Sequence, residues 1–427
     1  MKILYVSQYF PPEMGAPAAR AVELARHWVR AGHDVTVLTG FPNHPTGIVP
    51  PEWQARLRNL VYREEVEGIK VVRTWLLPLP NRKAYERMLN YGSFCLSAAS
   101  RGMEIPRPDV VIATSPQLLV GLSGWWISFW KRVPFIFEVR DLWPESVSAV
   151  GMGAEHSTLH RLLGRIAGFL YRKASHIVVV TPAFKDHLIK YWQLVPSKIS
   201  IVENGVEAEL FAANSSEGDL RGRFDLEEKF VVGYIGTMGI AHGLDSIIEA
   251  AASLQSTHPN IVFLLVGEGA DKERLQVMVS NRGLGNIVMV DQQPREQIPA
   301  FICAADVCLV LLKRTELFKT VIPTKMLEFM SCARPVILGV DGQAREILEE
   351  AQAGVAIEPE SSAALAKAII ALAGDASLRC RLGANGREYI VERCSREQTA
   401  KDYITVLRGV ISRAEDPAST AQRGETP

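Results

Sequence analysis

The chain has 427 residues, too many for one ordinary core; at roughly 150 residues per domain it implies two or three. Its 47 Lys and Arg balance 47 Asp and Glu, so net charge gives the whole molecule no bias towards nucleic acid or membranes. Six cysteines (Cys95, Cys303, Cys308, Cys332, Cys380, Cys394) form no C-x-x-C pair and have no His at metal-ligand spacing, which speaks against a zinc site and fits a reducing compartment.

Taken in chain order, MKILYVSQYF passes from one Lys into a short apolar run without a small-residue cleavage site, and reads as a buried strand rather than a signal peptide. Further strands are expected at 34–39, 70–74, 110–113, 134–138 and 177–180, with a helix over 18–31 closed by Gly32. Between Arg56 and Arg107 the chain is rich in basic residues, including Arg58, Arg63, Lys70, Arg73, Arg82, Lys83, Arg87 and Arg101. This stretch is either a basic face for an anionic acceptor or inner leaflet, or scattered solvated charge. The apolar run 118–130 is too short to span a bilayer and reads as a core helix, its three Trp leaving room for interfacial contact. From 231 the scheme restarts, with strands expected at 231–235, 261–266, 287–290, 307–311, 335–338 and 355–357. Two such series imply two doubly wound α/β domains. A last helix is expected over 395–412, and the polar tail after 415 reads as disordered.

Chemistry is expected at the ends of strands. The first strand runs into Tyr9-Phe10-Pro11-Pro12-Glu13-Met14-Gly15-Ala16, a turn entering a helix; Gly15 lets the backbone approach a phosphate, although a plain structural turn is as good an account. Glu138-Val139-Arg140-Asp141-Leu142-Trp143-Pro144-Glu145 follows another strand. Asp141 suits a sugar hydroxyl and Arg140 a carboxylate or phosphate; the bland alternative is an Arg140–Asp141–Glu145 ion network. Gly236-Thr237-Met238-Gly239 and Gly267-Glu268-Gly269 are two Gly-rich turns at one sheet edge, the first suited to a diphosphate. The most specific stretch is Pro323-Thr324-Lys325-Met326-Leu327-Glu328. Lys325 beside a positive helix N-terminus is unfavourable without an anion, and Glu328 at i+3 is an acceptor suited to ribose hydroxyls; a Lys325–Glu328 surface pair is the alternative.

In order, FPPEMGAPA, EVRDLWPES, ENGV, GTMG and PTKMLEFMSCARPVI resemble the retaining glycosyltransferases of family 4, closest to bacterial enzymes of surface-polysaccharide and O-antigen assembly such as L-fucosaminyltransferases. The resemblance implies a GT-B fold: two Rossmann-like doubly wound domains facing across a cleft, at 1–200 (acceptor side) and 201–394 (nucleotide-sugar side), with a return helix at 395–414 on the N-terminal domain and a tail at 415–427. It implies that Gly15 faces phosphate, Glu328 binds the nucleotide ribose, Lys325 faces the diphosphate and Asp141 lies on the acceptor side. Gly236, Thr237 and Gly239 join Gly15, Lys325 and Glu328 as donor-binding candidates, and Asp141, Lys325 and Glu328 are the catalytic candidates. Glu13, Arg140, Glu145, Lys313, Arg314 and Thr320 are further candidates for sugar or phosphate contact. Where many relatives carry a first Glu, this chain has Thr320; where many have a lysine after the Gly236 turn, it has Ala241-His242-Gly243.

The expected activity is transfer from a nucleotide-sugar, UDP-linked by preference, to a lipid-linked oligosaccharide. It is expected at the cytoplasmic face of the plasma membrane, with peripheral membrane contact, no nucleic acid partner and no cofactor. With no Asp-x-Asp in the sequence, no metal is expected. Two alternatives stay open here. Product analysis with and without acceptor separates a nucleotide-sugar epimerase, and donor binding without turnover would mark a non-catalytic partner of an assembly complex.

Overall fold

The β-branched runs become two sheets in a computed structural model, which describes every residue except 14, 45, 81–83, 146–157, 213–217 and 416–427. Arg82, Lys83 and the expected disordered tail therefore lie outside the described residues. The first sheet holds β1 (Lys2–Val6), β2 (Asp34–Gly40), β3 (Val61–Val66), β4 (Ile69–Thr74), β5 (Val110–Thr114), β6 (Phe135–Val139), β7 (His176–Val179) and β8 (Ile199–Ile201), in the order β3-β4-β2-β1-β5-β6-β7-β8. All pairs are parallel except β3–β4, which is antiparallel with Val61 opposite Thr74. The second sheet holds β9 (Phe230–Ile235), β10 (Ile261–Val266), β11 (Ile287–Val290), β12 (Val307–Leu311), β13 (Val336–Gly339) and β14 (Gly354–Ala356). Its order, β11-β10-β9-β12-β13-β14, reverses at β9, as in doubly wound nucleotide-binding folds.

The chain divides into two compact units, Met1–Glu203 with the segment that starts at Glu397, and Asn204–Arg396. In the first unit, helix Ala16–Arg30 covers one face of the sheet, and Trp28 lies beneath the last helix, Arg396–Glu415. The Trp28 indole N–H donates to the Ala400 carbonyl at 3.2 Å, and its ring meets Tyr403 edge-on at 5.2 Å. Tyr403, Ile404, Leu407 and Val410 share this core with Ile3, Val35 and Val37. Fully burying a large apolar side chain contributes about 1.5–3 kcal/mol, so these four side chains fix the helix more firmly than its own propensity. In the second unit, apolar clusters fill both faces of the sheet, one under helix Thr324–Ser331 and the other under helix Asp245–Leu254.

Among the described residues of the basic stretch 56–107, four of the charges are held in ion pairs. Arg73 is buried and pairs with Glu64 at 2.6 Å, Lys70 pairs with Asp34 at 2.8 Å, and Arg63 and Arg101 both pair with Glu104. These charges are neutralised by partners on neighbouring elements, so scattered charge describes them better than a docking surface.

Candidate functional site

In the first unit, three sequence-selected residues, Gly15, Arg140 and Asp141, collect where β1 and β6 end. Gly15 caps helix Ala16–Arg30 with φ of +134°, a conformation open to glycine alone at little cost. The backbone N–H groups of Arg140 and Asp141 both donate to the Ser115 hydroxyl, at 2.7 and 3.3 Å, which fixes the turn after β6. The Arg140 guanidinium reaches the first turn of the helix, Nη2 donating to the Ala16 carbonyl at 3.3 Å, while Nε and Nη1 are buried with no hydrogen-bond partner. Burial and the neighbouring Arg20 push its pKa below the ordinary arginine value. Burial also pushes the Asp141 carboxyl up to about 6, opposed by Arg140.

One expectation and one alternative are corrected here. Glu13 is not open to a sugar or phosphate: Oε1 accepts from the N–H groups of Asn43 and His44, both at 2.9 Å, and Oε2 from that of Phe10 at 3.2 Å. It clamps the first loop to the loop after β2, and burial pushes its pKa up to about 7 against those bonds. The Arg140–Asp141–Glu145 network does not form as such, because Glu145 faces His187 at 3.4 Å. The ion pair that orders this region was not singled out from sequence. Glu138, fully buried on β6, accepts from Arg20 Nη2 at 2.9 Å and Nε at 3.1 Å and from the Tyr5 hydroxyl at 2.9 Å. Arg20 in turn donates to the carbonyls of Val202 and Glu203, tying helix Ala16–Arg30 to the chain after β8. An acid at the last inward position of a strand and an arginine one turn into the first helix were the available signal.

In the second unit, Gly236, Thr237, Gly239 and Lys325 come together at the switch point of the sheet. Gly236 presents no side chain, and the Lys325 stem and Nζ lie 3.6 Å from where its Cβ would stand. Lys325 Nζ donates to the Tyr234 hydroxyl at 3.0 Å and sits 4.2 Å from the centre of that ring. The Tyr234 hydroxyl donates onward to the Thr237 carbonyl at 2.6 Å, so one buried tyrosine joins the lysine to the Gly-rich turn. Burial brings the Lys325 ammonium down to about 7, opposed by Glu328. The second Gly-rich turn supports the first: a Cβ on Gly267 would stand 2.0 Å from the Gly236 carbonyl oxygen, so only glycine permits this contact.

The remaining candidates are placed differently. Glu328 does not form a surface pair with Lys325; it meets Arg295 Nη1 at 3.0 Å, and Arg295 lies over the Phe211 ring at 4.9 Å. Sequence reasoning missed Arg295, which comes from a 3-10 turn 33 residues away. Arg314 turns outward to Glu358 and its backbone N–H donates to Glu360, so it does not stand at the Lys325 cluster. Lys313 lies against Gly243, its Cγ 3.4 Å from the position of a Cβ there. The Thr320 hydroxyl donates to the Leu317 carbonyl at 2.7 Å, closing its own turn. His242, standing where a lysine was expected, is held neutral: burial and the Lys325 charge push it down to about 3. Its Nδ1 lies 3.3 Å from the Leu311 carbonyl, which leaves Nε2 as an acceptor.

Comparison with known proteins agrees with this architecture. Residues 15–205 match the family model described as glycosyl transferase 4-like domain, and residues 219–389 the model described as glycosyl transferases group 1. The chain is 26% identical over 433 residues to the putative colanic acid biosynthesis glycosyl transferase WcaI of Escherichia coli K12, covering 96% of this chain and 100% of that one. It is 29% identical over 212 residues to the putative teichuronic acid biosynthesis glycosyltransferase TuaH of Bacillus subtilis, covering 49% of this chain and 50% of that one. The crystal structure of Anabaena HepE with UDP and glucose superposes with a TM-score of 0.71 at 19% identity, covering 96% of this chain and 99% of that one. With one family model on each half of the chain and two doubly wound sheets beneath them, the chain belongs to the family 4-type glycosyltransferases of the GT-B fold.

Proposed function

We propose that this glycosyltransferase moves a sugar from a UDP-sugar to a lipid-linked glycan in the assembly of a bacterial surface polysaccharide, with retention of anomeric configuration and without a divalent metal. The observation that carries the reading is the buried Lys325 amine beside the open backbone of Gly236, a desolvated cation positioned for an anionic ligand. The UDP preference is supported by HepE, solved with UDP and glucose, and the acceptor class by the descriptions of WcaI and TuaH.

In this proposal the N–H groups of Thr237 and Gly239 and the Lys325 ammonium take the diphosphate beside the bare backbone of Gly236, whose own N–H donates to the Val266 carbonyl, and Glu328 takes the ribose. Gly15 and Arg140 offer donors to a phosphate or carboxylate, and Asp141 accepts from a sugar hydroxyl on the acceptor side. The N–H donors and the Lys325 and Arg140 cations stabilise charge on the departing diphosphate, the costly part of the reaction. The diphosphate oxygen left behind takes the acceptor's proton as that hydroxyl attacks from the same face. Work would take place at the cytoplasmic face of a membrane. The test is transfer from a panel of UDP-sugars to lipid-linked oligosaccharides with the product's anomeric configuration read by NMR. Undiminished turnover in excess chelator is expected; loss that Mg²⁺ or Mn²⁺ restores would overturn the metal-free diphosphate site.

Glu328→Gln tests the ribose role. Amide for carboxylate keeps the shape and removes the charge, with an expected loss of about 1.5–3 kcal/mol, or ten- to a hundredfold in affinity for UDP and for uridine alike. Calorimetry on protein of known melting temperature measures it. Binding equal to the parent would reduce Glu328 to a partner of Arg295.

A further inference from the structure

We infer that the aromatic end of helix Val120–Lys131 and the arginine face of helix Thr158–Lys173 form one surface that docks on an anionic lipid bilayer, an inference that rests on the lipid-linked acceptor proposed above. Trp126, Phe129 and Trp130 are 41%, 59% and 55% exposed, a cluster of large rings that a soluble surface rarely leaves in water. They touch one another, Trp126–Trp130 at 5.5 Å and Phe129–Trp130 at 5.6 Å between ring centres, so the patch is continuous. No helix among the described residues is long and apolar enough to cross a membrane, and this one packs by its opposite side, through Gly124 against Ala113 of the sheet and Ile127 against Gly102 at the end of helix Ala84–Gly102.

The neighbouring helix supplies the charge. It packs on the first through Trp125 against Phe169, ring centres 4.8 Å apart, and through Leu170 in the space left by Gly121. Arg161, Arg165 and Arg172 stand at i, i+4 and i+11, within about 40° of arc on an α-helix. Leu162, 53% exposed, and Phe169 stand on the side of that stripe that faces the aromatic helix. On the other side, Gly164 and Gly168 leave a groove of about 410 Å³ between the three arginines and Trp192. A Cβ on Gly168 would stand 2.8 Å from the Trp192 ring, so this floor is bare because the wall is close. Among the described residues no carboxylate pairs with Arg161, Arg165 or Arg172, in contrast with Arg63, Lys70, Arg73 and Arg101. Exposed rings suited to the interfacial zone beside unpaired guanidiniums match a bilayer that carries phosphate headgroups and net negative charge. The groove would seat one such headgroup.

The test is co-sedimentation of the full chain with phosphatidylcholine vesicles and with vesicles containing 30% phosphatidylglycerol. Three forms are compared: the parent, Arg161→Glu/Arg165→Glu/Arg172→Glu, and Trp126→Ser/Phe129→Ser/Trp130→Ser, each checked for an unchanged melting temperature. The parent is expected to prefer the anionic vesicles in a salt-sensitive way. Reversal of the three arginines should lower its partitioning by about a hundredfold or more, at roughly one factor of five per basic residue near the surface. The aromatic variant should bind less tightly at every salt concentration. A parent that ignores both vesicles overturns the inference, as does undiminished binding by both variants, which would move the contact elsewhere. So would a dimer that dissociates only in the aromatic variant while vesicles go unbound. Transfer to a water-soluble acceptor, assayed in parallel, separates the two proposals. Its survival alongside lost vesicle binding supports docking, and vesicle binding without transfer to any lipid-linked acceptor upholds docking while sinking the acceptor assignment.

Discussion

Replacing Lys325 by methionine is expected to raise the melting temperature at pH 6.5 and to weaken UDP binding by ten- to a hundredfold or more. Burial brings this amine down to about 7, against 10.5 for an ordinary lysine. Between those values the unfolded chain holds a proton that the folded chain does not, so the lysine's contribution to stability improves as pH rises through that window and is least favourable below 7. Methionine fills the same space without the charge, so its advantage should be largest at pH 6.5 and shrink towards pH 10. The lost bond to the Tyr234 hydroxyl and contact with its ring offset part of the gain. Binding runs the other way. A diphosphate beside Nζ raises the amine's pKa, so UDP should draw in a proton above pH 7, and parent affinity should fall with rising pH by up to about tenfold per unit. Uridine, lacking phosphates, should be little affected by the substitution. Thermal melts across pH, with calorimetry in buffers of contrasting ionisation heat, read both effects. A variant that melts lower and binds UDP as the parent does would make Lys325 a packing residue.

The second large effect is expected at Arg140. Its guanidinium is buried beside Arg20, with Nε and Nη1 unpartnered and only the Ala16 carbonyl in reach of Nη2. A buried donor left without a partner costs about 1–3 kcal/mol, more when charged, and this arginine bears that cost in the absence of a ligand. Arg140→Leu should therefore melt at or above the parent's temperature while losing about 10²–10³ in kcat, the usual penalty for removing a donor aimed at developing charge. Arg140→Lys keeps the charge without the planar fork and should recover only a minor part of the rate. Steady-state kinetics beside thermal melts decide the matter. Unchanged kcat, or unfolding of the leucine variant, would make Arg140 a structural cation.

Much of the architecture was legible because parallel strands buried on both faces read as unbroken β-branched runs. Twelve of the strands fall on such runs, from 3–6 through 355–357. β3 was missed because Arg63-Glu64-Glu65 interrupts its alternation; as an antiparallel edge strand it keeps one face in water, and the charges pair across to Arg73 and Glu104. At the site, the chemistry of Lys325 was readable from its place at a helix N-terminus. Its partners were not, since Tyr234 within VVGYIG looks like one more core aromatic. Arg295 reaches Glu328 only through the fold, and nothing in the local pattern around Glu13 distinguishes a carboxylate that binds ligand from one that organises a turn by accepting three backbone N–H groups.

The position of helix Arg396–Glu415 also bears on how the protein comes into being. The Trp28 indole waits for a carbonyl 372 residues downstream, which at ordinary rates of translation separates their synthesis by roughly 20–75 seconds. During that interval the apolar bed formed by Ile3, Trp28, Val35 and Val37 lacks its cover, while the contiguous segment Asn204–Arg396 has all its own strands. The half of the molecule that leaves the ribosome first is thus finished last. Until then its open groove is the natural target for a chaperone or a protease, and a chain interrupted before residue 396 carries its defect not at the break but in the unit made at the beginning.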